Sequence, residues 1–275
     1  MPYISSCQNN EKPVQIYYED IGKGKPVVFI HGWPLSGSMW EYQITQLPQH
    51  DLRCITYDRR GFGKSDRPFC GYDYNTLASD LKALLDELNL NEVTLVGFSM
   101  GGGEIAKYFS LYGDARIAKV VFISAVVPFL LQTADNPDGV PQEHFDKNQQ
   151  AMMDDRPTFL EVFNRDFYGE SLLNQPVSEA YLANSLTKAM DASPIATIEC
   201  AKSFSSTDFR KDILKINVPT LIIHGDKDKT VPIKLTGERT AQAITGSIFK
   251  VYEGAPHGLW FTQKEKLNED LIDFI

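Results

Sequence analysis

Ser99 lies in a segment whose composition suits a nucleophile. Residues 97–101 read Gly-Phe-Ser-Met-Gly, a G-x-S-x-G pattern, and two further glycines follow it. An apolar run, 93–96, predicts a strand before the motif, and residues 104–111 predict a helix after it. A sharp strand-to-helix turn projects a serine Oγ outward, and side chains at 97 and 101 would clash there. The glycines therefore predict clearance around a nucleophilic serine, with a plain Gly-rich turn as the simpler alternative.

A serine nucleophile needs a base, usually a histidine, which a carboxylate orients. After such a turn the chain order is serine, acid, base. Three histidines follow Ser99: His144, His224 and His257. His144 is expected on a solvated helix face, and His224 lies inside an apolar strand as a structural residue. His257 lies in a Gly-Ala-Pro-His-Gly loop after the last predicted strand, so we assign the base to it.

Two aspartates could orient this histidine. Asp226 and Asp228 both follow the apolar strand "PTLIIHG". Asp226 comes first and suits a role within the turn itself. Asp228 lies further into the loop and is better placed to reach a histidine on the neighbouring strand. Spacing favours Asp228 as the acid and leaves Asp226 open.

Two backbone N–H groups could bind the oxyanion of an acyl-transfer reaction. One follows the nucleophile, at Met100, and the other should come from the loop "HGWP" after an early strand. Trp33 is the expected second donor, because Pro34 has no N–H and restricts Trp33 to extended backbone. His31 is expected to brace this loop. Pro34 is expected to shape the space in which the acceptor of the acyl group is chosen.

Other chemistries find little support. Gly63-Lys64-Ser65 resembles the end of a phosphate-binding loop, but the first glycine of that motif would fall at Asp58. The histidines do not cluster at metal-ligand spacings. We therefore expect no metal and no cofactor.

Composition limits the partners. The chain has 275 residues and a formal net charge of −9, which argues against nucleic acid and anionic membrane as partners. The four cysteines form no C-x-x-C pair, so reduced thiols are expected, and no apolar run is long enough to span a membrane. A cytoplasmic location follows by default.

The surrounding elements alternate between strand and helix. Seven short apolar runs predict strands of a mostly parallel, doubly wound sheet. Residues 128–216 break this alternation with helical segments, three of them begun by a proline: Pro157, Pro176 and Pro194. The predicted organisation is a core over 1–127 and 217–275, with a helical cap inserted over 128–216. Phe159, Phe163 and Phe167 form a stripe in the cap, of which one edge is expected to line an acyl pocket.

The whole chain resembles the α/β-hydrolase family. The stretches "HGWP", "YDRRGFGKSDRP", "LVGFSMGGGE", "TLIIHGDKDKTVP" and "YEGAPHG" carry the resemblance. Together they resemble its branch of cofactor-free haloperoxidases, which are perhydrolases and aryl esterases related to a γ-lactamase. The resemblance implies Ser99, Asp228 and His257 as the triad, because the family pattern HGDxDxxVP uses its second aspartate. It also implies Trp33 and Met100 as oxyanion donors. Members are often homo-oligomers, so a homo-oligomer is an expectation from the resemblance alone.

The predicted activity is that of a serine acyl hydrolase on small esters, with hydrogen peroxide able to replace water. Halide oxidation would then be a secondary reaction of the peracid. A γ-lactamase or amidase with the same triad is the alternative. A non-catalytic ligand receptor is a third hypothesis, and an intact triad argues against it. The partner is thus a small ester, carboxylic acid or lactam.

Overall fold

The structure, a computed structural model, describes residues 2–6, 12–171 and 173–275. Cys7 lies outside these residues. Within these residues, eight strands form one sheet: β1 (Tyr3–Ser6), β2 (Val14–Gly22), β3 (Lys25–Ile30), β4 (Leu52–Tyr57), β5 (Val93–Phe98), β6 (Ile117–Ile123), β7 (Thr220–Gly225) and β8 (Ile248–Tyr252). Their order in the sheet is β1-β2-β4-β3-β5-β6-β7-β8, in which β1–β2 and β2–β4 are antiparallel and the other pairs parallel. The predicted mostly parallel α/β sheet is confirmed.

Helices cover the sheet and follow most of the strands. They are α1 (Glu41–Ile44), α2 (Tyr74–Glu87), α3 (Met100–Tyr112), α4 (Gln142–Phe167), α5 (Glu179–Asp191), α6 (Pro194–Ser206), α7 (Gly237–Ala243), α8 (Leu259–Thr262) and α9 (Lys264–Phe274). Three 3₁₀ turns lie at Gly37–Trp40, Leu47–His50 and Ile213–Lys215. Every residue of β5 is buried, as expected for a central parallel strand with helices on both faces. No helix of the described part of the chain has both the length and the apolar character that crossing a membrane requires.

The first strand was not predicted. β1 pairs with β2 at the edge of the sheet, and only Ile4 and Ser6 of its four residues are buried. Such a short strand lies in a polar segment and offers too few apolar positions for its period to be read. Its position depends on the pairing with β2 and on the Ser6 hydroxyl, which donates to Asp80 of α2.

Helices α4 to α6 lie between β6 and β7 in the chain. Pro194 begins α6 as predicted, and the Ser193 hydroxyl caps it through the N–H of Ala196. The prediction for Pro176 is wrong, because α5 starts at Glu179 with Ser178 as its cap. A serine cap can satisfy the free N–H groups of a first turn, so no proline is needed there.

Pro157 lies inside α4, at a kink. Asp155 leaves helical geometry with φ −153° and ψ 82°. Its carboxylate accepts hydrogen bonds from the N–H and the hydroxyl of Thr158, at 3.1 and 2.7 Å. Asp155 therefore acts as a cap for the second half of α4, and Pro157 lies in the first turn of that half, where a missing N–H costs nothing. The kink separates residues 142–154 from the second half of α4, which carries Phe159, Phe163 and Phe167.

Candidate active site

Ser99 occupies the turn between β5 and α3 in a strained conformation. Its φ of 53° and ψ of −117° lie in a backbone region that residues other than glycine rarely adopt. Such a conformation costs about 1–3 kcal/mol. Hydrogen bonds hold this geometry: the Ser99 N–H donates to Ile123, and the Ser99 carbonyl accepts from Gly102 and Val126. Strain of this kind persists where the surroundings impose it, often at functional sites.

Glycines clear the space for this turn. A Cβ at Gly97 would lie 2.9 Å from the Gly101 backbone, and one at Gly101 would lie 2.6 Å from the Ile30 carbonyl oxygen. Both contacts are with backbone, which cannot give way easily. A Cβ at Gly103 would meet the ring of Tyr74 at 2.5 Å. This glycine therefore lets α3 approach α2 and the ring of Phe209.

His257 contacts both Ser99 and Asp228. Its Nε2 lies 3.0 Å from Ser99 Oγ, and its Nδ1 lies 2.6 Å from Asp228 Oδ2. The ring is buried between Phe98 and Phe167, whose centroids lie 4.8 and 4.7 Å away. The two ring nitrogens thus face a hydroxyl and a carboxylate, the arrangement that lets an imidazole take a proton from a serine.

Asp228 is the aspartate that reaches the histidine. Its Oδ1 accepts hydrogen bonds from the N–H groups of Thr230 and Val231, at 3.0 and 2.8 Å. Burial alone would raise the pKa of Asp228, but the charge of His257 and hydrogen bonds from His224 and His257 hold that pKa below its usual value. The carboxylate therefore stays ionised and can keep the imidazole in one tautomer.

Asp226 has a different contact. Its exposed carboxylate accepts a hydrogen bond of 2.7 Å from the N–H of Gly254. This bond joins the loop after β7 to the loop after β8. Asp226 therefore supports the loop that carries His257 but does not contact His257 itself.

His224 adds a contact that the sequence did not reveal. Its Nε2 lies 2.8 Å from the carbonyl oxygen of Val231 and 3.3 Å from Asp228 Oδ2. It was predicted to be structural because it lies inside β7, where its side chain is buried. The only hint in the sequence was its spacing of four residues from Asp228, which does not bring side chains together outside a helix.

The loop of residues 31–34 passes close to Ser99. A Cβ at Gly32 would lie 3.2 Å from the Cβ of Ser99. Trp33 is anchored by its indole N–H, which donates to the Thr197 carbonyl at 2.9 Å. Met100 is the first residue of α3, and the N–H groups of a first turn have no partner within the helix. The two predicted oxyanion donors thus belong to backbone segments that adjoin Ser99.

His31 and Pro34 flank this stretch. His31 is buried and braces the loop as predicted: its Nε2 accepts from the backbone N–H of Arg59 at 2.9 Å. Burial and the charge of Arg59 lower the pKa of His31 well below its usual value. The Trp33–Pro34 peptide is cis. The Pro34 ring faces the cap, where it lines a gap of about 10 Å³ with Leu160 and other residues.

A cavity of about 710 Å³ opens onto Ser99 and His257. Its walls include apolar side chains of the cap and of the loop after β6, among them Phe159, Phe163 and Phe204. Polar side chains also line it, namely Gln142, His144, Asn148, Gln149, Asp166, Lys202 and Lys229. Trp33 packs edge-on against Phe163, at 5.2 Å between centroids. The cavity is large enough for a drug-sized apolar molecule with the reacting group near Ser99.

Other candidate residues lie apart from this site. Cys54 and Cys200 are buried free thiols, and Cys70 is an exposed one. Burial raises the pKa of both buried thiols to about 12. Within residues 2–6, 12–171 and 173–275, no group of three or more histidine, cysteine or acidic side chains is placed to bind a metal ion.

Comparison with known proteins agrees with this architecture. The model of the "alpha/beta hydrolase fold" family matches residues 25–263. A non-heme chloroperoxidase from Kitasatospora aureofaciens is 40% identical, with 95% of this chain and 96% of the relative covered. A bifunctional esterase/perhydrolase from Acinetobacter calcoaceticus is 37% identical, with coverage of 95% and 96%. The crystal structure of a bromoperoxidase from Bacillus anthracis is 48% identical over 99% of this chain and 98% of that one, with a TM-score of 0.95.

The chain therefore belongs to the α/β-hydrolase family, in the branch that contains the non-heme haloperoxidases. The predicted family, fold class and enzyme type are confirmed.

Proposed function

We propose that this enzyme is a serine acyl hydrolase that acts on small esters through an acyl-enzyme on Ser99. The single observation that carries the proposal is the chain of contacts from Ser99 Oγ through His257 to Asp228, at 3.0 and 2.6 Å. His257 removes the proton of Ser99 as Oγ attacks the ester carbonyl, and then donates it to the leaving alcohol. The N–H groups of Trp33 and Met100 stabilise the oxyanion.

The second half of the reaction decides the product. Water attacks the acyl-enzyme, gives its proton to His257 and releases a carboxylic acid. Hydrogen peroxide, attacking in the same way, releases a peracid and regenerates the Ser99 hydroxyl. A peracid transfers one oxygen to a halide ion in solution, which yields hypohalous acid and the carboxylate. Relatives that are named esterase/perhydrolase and non-heme chloroperoxidase support this sequence of steps, which uses no metal or cofactor.

Pro34 is proposed to set the balance between the two acceptors. It fixes its own φ near −65° and holds the chain beside Trp33, whose carbonyl would accept a hydrogen bond from bound peroxide. The position of Pro34 beside the cap, where it lines a small gap together with Leu160, supports this role, because the cap leaves the loop little room to move. A loop-stiffening role without influence on the acceptor is the competing explanation.

Labelling with an organophosphonate tests the nucleophile. The parent should be labelled at Ser99 and should hydrolyse a small aryl ester. Ser99→Ala should lose the label and at least about 10³-fold in turnover. Undiminished labelling of this variant would rule out Ser99 and favour the receptor hypothesis. A lactam assayed beside the ester separates the lactamase alternative from the esterase.

The ratio of peracid formation to ester hydrolysis tests Pro34. This ratio should fall in Pro34→Leu, with acetate ester and hydrogen peroxide as substrates. An unchanged ratio would remove Pro34 from this role. If the parent enzyme forms no peracid, the perhydrolase hypothesis is wrong, and an esterase or lactamase without that activity remains.

The remaining expectations about the protein's surroundings stay predictions. The partner is a small ester, carboxylic acid or lactam, the location is cytoplasmic, and assembly into a homo-oligomer is expected from the resemblance. Gel filtration with light scattering measures the last of these directly.

A further inference from the structure

A buried ion pair lies behind the site, on the core side of the loop of residues 31–34. Arg59 follows β4, and Glu104 lies in α3; their side chains are 1% and 0% exposed. Arg59 Nε donates to Glu104 Oε1 at 2.6 Å, and the Tyr57 hydroxyl donates to Glu104 Oε2 at 2.5 Å. The side chains of Tyr57, Arg59 and Glu104 thus form one buried hydrogen-bonded cluster.

The same guanidinium also binds the loop that carries Trp33. Arg59 Nη2 donates to the carbonyl oxygen of His31 at 2.7 Å, and the Arg59 backbone N–H donates to His31 Nε2 at 2.9 Å. His31 is two residues before Trp33, and Gly32 between them passes over Ser99. Arg59 therefore fixes the start of the segment that contains one proposed oxyanion donor.

Glu104 joins Arg59 to helix α3. It lies four residues after Met100, which begins α3, so the two side chains lie on the same face of the helix one turn apart. The ion pair consequently links α3, which carries the Met100 N–H, to the loop that carries the Trp33 N–H. The planar guanidinium of Arg59 contacts both Glu104 of α3 and the loop of residues 31–34. An ammonium group could not do so with the same fixed geometry.

Stability alone gives a weak reason for such a pair. Removing two charges from water is costly, and apolar residues of similar volume often replace a buried ion pair without loss of stability. An oxyanion hole, in contrast, depends on donors placed within fractions of an ångström.

We propose that Arg59 and Glu104 are positioning residues that set the distance between the Trp33 and Met100 N–H groups. The proposal rests on the proposed function, because it assigns the pair to the oxyanion hole of that reaction. It predicts that loss of the pair weakens binding of the transition state more than binding of the substrate.

The decisive variant replaces the cluster by apolar side chains: Tyr57→Phe, Arg59→Met and Glu104→Leu together. This change leaves no unpaired buried charge, so the protein should fold. The expected result is a fall of about 100-fold in kcat with KM within about threefold, since a misplaced oxyanion donor costs about this much. Affinity for a boronic acid that forms a tetrahedral adduct with Ser99 should fall by the same factor.

A matched control uses the neighbouring residue. Arg60 pairs with Asp80 through two bonds of 2.6 Å, and this pair is also buried, but no hydrogen bond joins it to the loop of residues 31–34 in the described part of the chain. Arg60→Met with Asp80→Leu should keep kcat and boronic acid affinity within about twofold of the parent. The urea midpoint of each variant reports its stability separately.

Arg59→Lys is the second test, and it decides the matter if the triple variant does not fold. Lysine keeps the charge opposite Glu104 but loses the second arm that binds His31. It should lower kcat and boronic acid affinity together by about tenfold. A kcat equal to that of the parent in either folded variant would overturn the proposal, as would an equal fall in the Arg60 control. A parent without ester turnover would instead overturn the proposed function.

Discussion

His224 lies against Asp228, with its Nε2 3.3 Å from the carboxylate Oδ2 that also contacts His257. The same Nε2 is 2.8 Å from the Val231 carbonyl oxygen, which can only accept, so this nitrogen carries the hydrogen. Nδ1 of His224 is buried and has no hydrogen-bond partner among the residues that the structure describes. His224 is thus a donor to the loop that holds Asp228, and through that loop it supports the orientation of the carboxylate.

Replacing His224 should therefore lower turnover without removing it. His224→Leu loses the bond to Val231 and the contact with the Asp228 carboxylate, and we expect kcat for an aryl ester to fall about tenfold, near the value of one hydrogen bond. His224→Gln can still donate and should recover most of that loss. Equal rates in the Leu variant and the parent, both folded by circular dichroism, would contradict this role.

The two aspartates after β7 should behave differently. Asp228→Asn should keep the fold and lose turnover by about 10⁴, because the histidine would take the wrong tautomer. Asp226→Asn is the control: it weakens the bond to Gly254 and should change the unfolding midpoint more than kcat. The reverse pattern in steady-state kinetics would assign the acid to Asp226.

His31 should make the protein less stable in mild acid. Its folded pKa is depressed, so below the unfolded value of about 6.5 the unfolded chain binds a proton that the folded chain does not. Stability should then fall with decreasing pH, by up to about 1.4 kcal/mol per pH unit. Protonation would break the acceptor bond from Arg59 and add a charge beside its guanidinium.

Denaturant unfolding at several pH values between about 7.5 and 5.5 measures this slope. His31→Gln keeps an acceptor for Arg59 and should reduce the dependence of the free energy of unfolding on pH. His144→Gln, at an exposed position of α4, should leave it unchanged. A slope that persists in His31→Gln would assign the titration to another group.

Phe159 and Phe167, two members of the phenylalanine stripe in the cap, should differ in their effects on substrate binding and on stability. Phe159 lines the cavity and is only partly buried, so Phe159→Ala should alter KM and acyl-chain preference with little loss of stability. Phe167 is 2% exposed and packs edge-on against His257 and Trp260. Phe167→Ala should cost about 3–5 kcal/mol of stability and lower kcat. Equal shifts in KM for both variants, with esters of increasing chain length, would contradict the division.

Local features of the site could be predicted because the chain itself encodes them. The glycines on both sides of Ser99 permit one strained turn between a strand and a helix, whatever the rest of the molecule does. His257 was found in the same way, from its loop after the last strand. Choosing Asp228 over Asp226 depended on spacing and on the resemblance, and the contact with His257 supports that choice.

Contacts between distant residues could not be predicted in this way. Periodicity shows which face of an element is buried, but not what that face meets. Arg59 and Glu104 are 45 residues apart and His31 and Arg59 are 28 apart, and they meet only because β3 lies between β4 and β5 in the sheet. The sequence by itself determined the turn at Ser99, the candidates for acid and base, and the alternation of strands and helices. The tertiary structure decided which buried charges pair, which phenylalanine faces the cavity and that His224 touches Asp228, because those contacts depend on strand order and on how the cap packs.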